Sequence, residues 1–485
     1  MLWRRQRASR WVSSLDAHPN LAEILGVLTQ VPRLTGRDMA SLAQGWRDTT
    51  FLHVARAHAL GPDTPLVLEV LATFERVDQV FRDELSRSEN FLSDDGPATA
   101  VKPQVVKHAL HAVRDAVAAV YALLTLIAML VWRTTATTGS ARGLPSVTVL
   151  KPLCGAEPGL YEHLRSFFRQ DFPQFQIVFG VRDPLDPALA VVRRLVAEFP
   201  AQPIDVVVDP QQHGSNAKVS NLINMIAQAR HDVLVMADSD TRVAPDYLAA
   251  VTAPLQNRNV GLVTCLYRGV PTRQIWSRLG AMYINDWYAP SVLLAWLFGY
   301  QGYVSGQTIC LRRDTLQAIG GLRQVASHLA DDHRLGELVR ALGLRTVLSP
   351  YWLTAEHDEP NLSSLIGHEL RWMRTIRVLR PKSFPWMFLS LSLPPAALGL
   401  ALIAVDDAIP PTAWALFVTT LVARLALHVV HRRQDARPLL SDCWLLPARD
   451  LLILWVWFRS LLGSRVIWRG NQFAVDNDGI LHRRS

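Results

Sequence analysis

The stretch HDVLVMADSDT, residues 231–241, decides the fold. Its first half is a short run of large apolar and β-branched residues, which suits a strand buried on both faces. Its second half sets two carboxylates, Asp238 and Asp240, two positions apart where such a strand would surface. Working outward, similar apolar runs recur at SVTVL, FQIVFGV, PIDVVVD, VGLVTCLY and RTVLS, with helical patterns LYEHLRSFFRQ, PALAVVRRLVAEF and NLINMIAQAR between some of them. The alternation predicts an α/β domain over residues 144–384 with a mainly parallel sheet. Ligands in such sheets bind beyond the carboxyl ends of the strands, where Asp183, Asp209, Asp238 and Asp240 all fall.

The 485-residue chain is 49% apolar, carries a formal charge of +8 and contains fifteen tryptophans. Its mean hydropathy is +0.13 and its pI about 9.6. Long apolar segments with flanking basic and aromatic residues point to a bilayer partner, and no nucleic-acid partner is expected. The four cysteines, Cys154, Cys265, Cys310 and Cys443, have no CxxC spacing, so neither a disulfide framework nor a zinc site is suggested.

Residues 1–104 read as a helical N-terminal extension without assignable chemistry. The uncharged run AVAAVYALLTLIAMLVW ends a transmembrane helix expected over 106–132. In its N-terminal part His108, His111 and Asp115 share a helix face, which reads as a solvated helix end rather than a ligand cluster. Residues 385–462 read as membrane helices: two spans, then a third segment, CWLLPARDLLILWVWFRSLL. Arg449 and Asp450 are costly in lipid, so an interfacial or re-entrant helix is as well supported there as a third span. Residues 463–485 form a basic tail that can add a strand and, like the loop HRRQDAR, is expected on the cytosolic side.

Two hard oxygen donors at a strand end suit Mg²⁺ or Mn²⁺, which bind one or two carboxylates and complete their shell with water and phosphates. An isolated DxD is equally a solvated loop or a helix cap. Asp183, after FQIVFGV, can accept a nucleobase N–H or simply form a turn before Pro184. Lys218, in HGSNAKVSNL, is a phosphate contact at a helix start or a surface lysine. Asp331 and Asp332 precede an amphipathic helix, where they serve its dipole or supply a general base. His368, Arg371 and Trp372 lie on a basic helix beside a membrane segment, which suits lipid headgroups or a diphosphate.

Taken in order, KPLCGAEPGLYEHLRSFFRQDFPQFQIVFGVRDPLDPA, HGSNAKVSNLINM, MADSDTRVAPDYL, VSGQTICLRRDTL, HLADDHRLGE and RWMR resemble the ceramide glucosyltransferase family, glycosyltransferase family 21, over about residues 116–475. Within it the chain looks most like the bacterial branch that glycosylates hopanoids. The resemblance implies a GT-A catalytic domain, a UDP-sugar donor, a membrane lipid acceptor, a divalent cation, and an integral protein of the bacterial inner membrane with its catalytic domain in the cytosol. It further implies that Asp183 contacts uracil, that Asp238 and Asp240 hold the metal and diphosphate, and that Asp332 deprotonates the acceptor. Residues 368–372 match the family's (Q/R)xxRW site with His368 in place of Gln or Arg. Ala289-Pro290 stands where the animal ceramide enzymes have His-Pro. The helical stretch 272–300 is expected to admit lipid, or to be an ordinary core helix pair. Transfer from UDP-N-acetylglucosamine to bacteriohopanetetrol is the expected activity, with UDP-glucose:ceramide transfer and a non-catalytic nucleotide-sugar sensor as alternatives.

Overall fold

The computed structural model describes residues 103–133, 143–406, 411–432 and, with short breaks, 438–483. The expected extension over 1–104 lies almost wholly outside the described residues. The chain divides into two compact units, one built from Trp132–Val292, Gln301–Trp386 and Trp444–Ser485, the other from the remaining segments.

The first unit is organised by an eight-stranded sheet. Its strands are β1 (Val147–Pro152), β2 (Phe175–Val181), β3 (Ile204–Val208), β4 (Val233–Met236), β5 (Thr241–Arg242), β6 (Val260–Pro271), β7 (Ile309–Arg312) and β8 (Arg345–His357), in the order β3-β2-β1-β4-β7-β6-β8-β5. Four neighbouring pairs are parallel, β1 with β2, β1 with β4, β2 with β3 and β6 with β8, whereas β7 and β5 run antiparallel to their neighbours. Every apolar run anticipated as a strand is one. The α/β class with a mainly parallel sheet is therefore correct, and β5 and β7 add the antiparallel elements.

Helices α1 (Leu160–Phe168), α2 (Ala188–Glu198), α3 (Ala217–Ile226), α4 (Ile275–Tyr283), α5 (Asp331–Ala341), α6 (Leu362–Leu379) and α7 (Leu446–Leu461) belong to this unit. All residues of β2 and β4 are buried, as strands covered on both faces must be. Leu150, Val178, Leu222, Met225, Leu234, Leu311 and Val339 share one apolar core. Gly180 shows how closely α3 lies on β2: a Cβ there would stand 2.3 Å from Asn221 Oδ1 and 2.4 Å from Met225 Sδ. Helix α3 starts where it does because Asn216 caps it, accepting the Val219 N–H at 3.1 Å.

Three segments take definite form here. The segment 446–461, expected as an interfacial or re-entrant helix or a third span, packs within the first unit as α7 through one face, with Leu451, Trp455 and Phe458 exposed on the other. Arg449 is the reason: its guanidinium makes two hydrogen bonds, 2.6 and 2.8 Å, with the buried Glu369 carboxylate of α6 and a third, 3.2 Å, with the Leu279 carbonyl. The tail forms a three-stranded antiparallel sheet of its own, β9 (Arg465–Trp468), β10 (Asn471–Val475) and β11 (Leu481–Arg483). It is joined to the chain just before α5 by Leu481 N–H to the Ser327 carbonyl, 2.8 Å, and Leu329 N–H to the Gly479 carbonyl, 2.9 Å. Finally, α4 and the turn after it are largely interior, with Leu279, Met282, Tyr283 and Ile284 buried, so this part of 272–300 is core rather than an exposed lipid surface.

In the second unit, Pro411–Arg432 is long and apolar enough to cross a membrane. The first expected span after residue 385 is instead two helical pieces, Phe384–Leu391 and Leu393–Ala404, bent by 78°. Ser392, at φ 55°, and the prolines at 394 and 395 interrupt it. The helix Pro103–Arg133 contains an apolar stretch, Val117–Trp132, shorter than a full span, whose Ala122, Leu123 and Ile127 cluster with Ala423. The side chains of His108, His111 and Asp115 lie outside the described residues.

Candidate active site

Strand register brings the candidate acids together. Leu150 of β1 pairs with Met236 of β4, so Lys151 and Asp238 emerge at the same sheet edge. Lys151 is wholly buried, donates to the Asp238 carbonyl and lies 3.9 Å over the Phe167 ring. Burial pulls its ammonium down to about 7 against the attraction of Asp240 and Asp238. This lysine, the charged residue that closes the apolar run SVTVL, is a site component not anticipated from the sequence.

Lys218, on the first turn of α3, forms an ion pair with Asp238. Burial alone would lower it, but Asp238, Asp331 and Asp332 together raise it well above the usual lysine range. Its ammonium also lies 3.5 Å from the Gly306 carbonyl, and the Gly306 N–H donates to Asp332 Oδ2 at 2.8 Å. A Cβ on Gly306 would stand 3.0 Å from Lys218 Nζ, 3.5 Å from Asp332 Oδ2 and 3.7 Å from Asp238 Oδ2. Lys218, Asp238 and Asp332 therefore border one small space beside a residue without a side chain.

The two adjacent aspartates separate in role. Asp331 is buried and accepts the Asn216 amide at 3.2 Å, tying the start of α5 to the cap of α3. Asp332 accepts backbone N–H groups, from Gly306 and, at 2.7 Å, from His333. Burial, then the neighbouring Asp331, raise Asp332 to about 6 despite Lys218 and those two donors. A carboxylate so placed has the proton affinity a general base needs near neutral pH.

Asp240 is also raised, chiefly by burial and next by Asp238. Its Oδ2 takes a 3.4 Å contact from Gln307, whereas its Oδ1 is buried without a hydrogen-bond partner. An orphaned carboxylate oxygen beside Asp238 is what a divalent cation would satisfy. No group of three or more His, Cys, Asp or Glu converges on one point among the described residues. The pair thus fits a cation whose shell is completed by substrate phosphates, not a closed protein cage.

Asp183 lies just past β2, exposed, with Oδ1 accepting the Leu185 N–H at 2.9 Å. It forms the turn before Pro184, one of the two readings its sequence allows. His368, Arg371 and Trp372 follow one another on α6. The His368 ring lies 4.2 Å from Trp372, and Trp372 lies 5.3 Å from Tyr283. The antiparallel ladder that pairs Thr241 with Ala355 brings Asp240 level with Glu356, one residue before His357, whose ring is 6.0 Å from Trp372. Hence the DxD segment and the aromatic residues of α6 border neighbouring parts of one sheet edge. Tyr267, Tyr288 and Tyr303 continue the aromatic wall, with ring centroids 6.0 and 6.2 Å apart in succession.

Comparison with known proteins places the chain in a family. Residues 110–481 match the model of Glycosyl transferase family 21. The chain is 24% identical over 242 residues to Ceramide glucosyltransferase 1 of Caenorhabditis elegans, covering 49% of this chain and 51% of that one. Ceramide glucosyltransferase 3 of the same organism is 22% identical over 68% of this chain and 73% of its own length. Among solved structures the chain is similar to the mannosyltransferase PcManGT from Pyrobaculum calidifontis in complex with GDP-Man and Mn2+, at 20% identity and TM-score 0.46, over 73% of this chain and 99% of that one. It is also similar to S. aureus TarS 1-349 in complex with UDP-GlcNAc, at 15% identity and TM-score 0.33, over 70% of this chain and 99% of that one. With its family model matched over more than half its length, the chain belongs to glycosyltransferase family 21.

Proposed function

We propose that this glycosyltransferase moves a sugar, N-acetylglucosamine in the first instance, from its UDP derivative to a hydroxyl of a membrane lipid, bacteriohopanetetrol, with inversion at the anomeric carbon. The observation that carries the reading is the convergence of Asp332, Lys218 and Asp238 around Gly306. One carboxylate there has a raised proton affinity, and a protonated lysine stands opposite it.

In this reading Asp332 takes the proton of the acceptor hydroxyl as that oxygen attacks, and no covalent nucleophile is needed. Lys218 neutralises charge on the departing diphosphate, and Asp183 accepts a uracil N–H. Asp238 and Asp240 would hold the divalent cation, which when bound supplies Lewis-acid stabilisation of the diphosphate. Arg371 and His368 contact the diphosphate from α6, and Trp372 with Tyr283 offers flat apolar surface to the acceptor. The apolar helices have a physical purpose: the acceptor's body leaves a bilayer only at high cost, so the site must work at the membrane surface, on the cytosolic face of the bacterial inner membrane where UDP-sugars are made. UDP-glucose:ceramide transfer is the second reading, favoured by the ceramide glucosyltransferase relatives.

The test is a purified full-length protein offered UDP-N-acetylglucosamine and UDP-glucose with hopanoid polyol and ceramide, with and without chelator. Hexosylceramide with the hopanoid unchanged would replace the first reading by the second. Turnover of neither acceptor would contradict both.

A further inference from the structure

The strands of the tail have no part in the chemistry described so far, yet their hairpin ends beside the loop that carries Asp332. In NQFAVDNDGILHR, residues 471–483, strand alternation sets Phe473 and Val475 on one face, and DNDG supplies a turn. Phe473, Val475 and Leu481 are buried together with Leu329, and Val378 of α6 packs against them. Asp476 closes the turn. Its Oδ1 accepts the Ile480 N–H at 2.9 Å, its own N–H donates to the Ile480 carbonyl at 3.3 Å, and its carbonyl accepts the Gly479 N–H at 3.2 Å. Gly479, at φ 79°, takes a left-handed conformation that a side chain would strain. The start of the tail is fixed to α6, since Arg377 donates to the Gly463 carbonyl at 2.8 Å and Arg374 to the Leu462 carbonyl at 3.2 Å.

The segment 326–329 lies between this hairpin and the start of α3. The carbonyls of Ala326 and His328 face α3: the first accepts the Asn216 N–H at 2.8 Å, the second the Asn216 side-chain amide at 3.0 Å. The same buried amide holds Asp331. The Ser327 carbonyl and the Leu329 N–H face the other way, to Leu481 and Gly479, and His328 forms an antiparallel bridge with Ile480. This alternation is that of an extended segment with a neighbour on each edge. Leu481 stands opposite Val475 in the β10–β11 ladder, but its N–H is given to Ser327. Asp332 follows Leu329 by three residues. One edge of its loop is thus held by the element that carries Lys218, and the other by the tail.

We propose that the hairpin of β10 and β11 is a clamp that sets the position of Asp332 against Gly306 and Lys218, and that Asp476, which closes its turn, is a positioning residue for transfer. This rests on the reading of Asp332 as the base. The clamp touches neither donor nor acceptor. It acts by denying the loop the small displacement that would carry the carboxylate out of line with the attacking hydroxyl, and a shift of about 1 Å there costs up to about 100-fold in rate. The donor's proposed contacts, Asp183, Asp238 and Arg371, lie on other elements, so donor binding does not depend on the clamp.

The experiment uses the full-length protein with Mn²⁺ and compares wild type, D476A, D476N, L481P, D332N and D332N/D476A. D476N keeps an oxygen for the Ile480 N–H, and L481P removes the donor to Ser327. Turnover is measured with UDP-N-acetylglucosamine and bacteriohopanetetrol and with UDP-glucose and ceramide. Calorimetry gives UDP affinity, thermal unfolding reports folding, and hydrogen exchange follows the peptide 326–334. D476A and L481P are expected to lower kcat about 10–100-fold with UDP affinity within about twofold of wild type. Exchange at 326–334 quickens in both while β1 and β4 exchange as in wild type, and D476N retains most of the activity. In the D332N background D476A costs less than about twofold more, because the base it positions is gone. Should L481P fail to fold, D476A decides. Unchanged exchange at 326–334, wild-type kcat despite faster exchange, or a D476A loss that persists in full beside D332N overturns the proposal alone. Wild type that turns over neither pair, or D332N with wild-type kcat, overturns the reading of the base and this proposal with it.

Discussion

Asp332 accepts the backbone N–H of Gly306 at 2.8 Å, so the proposed base is oriented by main chain rather than by another acid. Asparagine removes the charge and keeps one of the two backbone contacts, from Gly306 or from His333. Asp332→Asn is therefore expected to lower kcat by roughly 10²–10⁴-fold, the range for losing a general base, with UDP affinity nearly intact. Since Asp332 is raised to about 6 and acts deprotonated, wild-type kcat falls as pH drops below about 6, with the slope of one proton. A kcat that stays level down to pH 5 would remove Asp332 from this role.

Stability should move the other way. A carboxyl with a folded pKa near 6 and an unfolded value of about 3.9 favours folding most when both states are protonated. That contribution is lost as pH rises from about 4 to about 6 and is absent above. Asp332→Asn avoids the loss, so at pH 7.5 it should melt a few degrees above wild type. An equal or lower melting temperature would show that the site does not strain this carboxylate.

Gly306 borders the space proposed for the donor. Gly306→Ala places a methyl 3.0 Å from Lys218 Nζ and 3.5 Å from Asp332 Oδ2. Turnover should fall on the order of 10–100-fold through misplacement of the reacting groups, with little change in melting temperature. Full activity in this variant would move the reacting centre elsewhere.

The cation requirement separates Asp240 from an ordinary buried acid. Asp240→Asn relieves the repulsion by Asp238 and the burial of an unpaired charge, so it should fold at least as well as wild type. Transfer should fall on the order of 100-fold or more, and added Mn²⁺ should no longer stimulate it. Stimulation by Mn²⁺ equal to that of wild type would exclude Asp240 as a ligand.

Arg449 and Glu369 hold α7 to α6 with side chains 2% and 0% exposed. Breaking such a pair strands one charge, so Arg449→Ala should cost about 3–5 kcal/mol, whereas Arg449→Met with Glu369→Leu together should cost far less. Denaturant unfolding of the singles and the double measures this. A single variant as stable as wild type would show that the pair does not secure the helix.

Much of this was legible in the sequence because it is local. Six of the eight strands announce themselves as apolar runs, β5 and β7 do not, and Asp183, Asp238 and Asp332 each follow or open an element whose periodicity is plain. What was not legible depends on distant partners. Nothing near Arg449 in sequence shows that Glu369, 80 residues away, neutralises it, so the sequence leaves a third span and an interfacial helix both open. Lys151 and Gln307 join the site only through the pairing of strands far apart in the chain. The pairing of Glu359 with His368 comes from the turn between β8 and α6, not from any pattern in EHDEP. The tail reads as a possible strand, but its attachment beside Ser327 comes from hydrogen bonds across 150 residues or more, which no local pattern encodes.

The central claim is inverting transfer to a lipid hydroxyl, and the anomeric configuration of the product tests it most directly. The protein is incubated with UDP-N-acetylglucosamine, whose sugar is α-linked, together with bacteriohopanetetrol and Mn²⁺, and the extracted lipid is examined by NMR. A β-linked glycolipid formed in equal amount with UDP is the result this account predicts; an α-linked product, or free sugar without glycolipid, contradicts it.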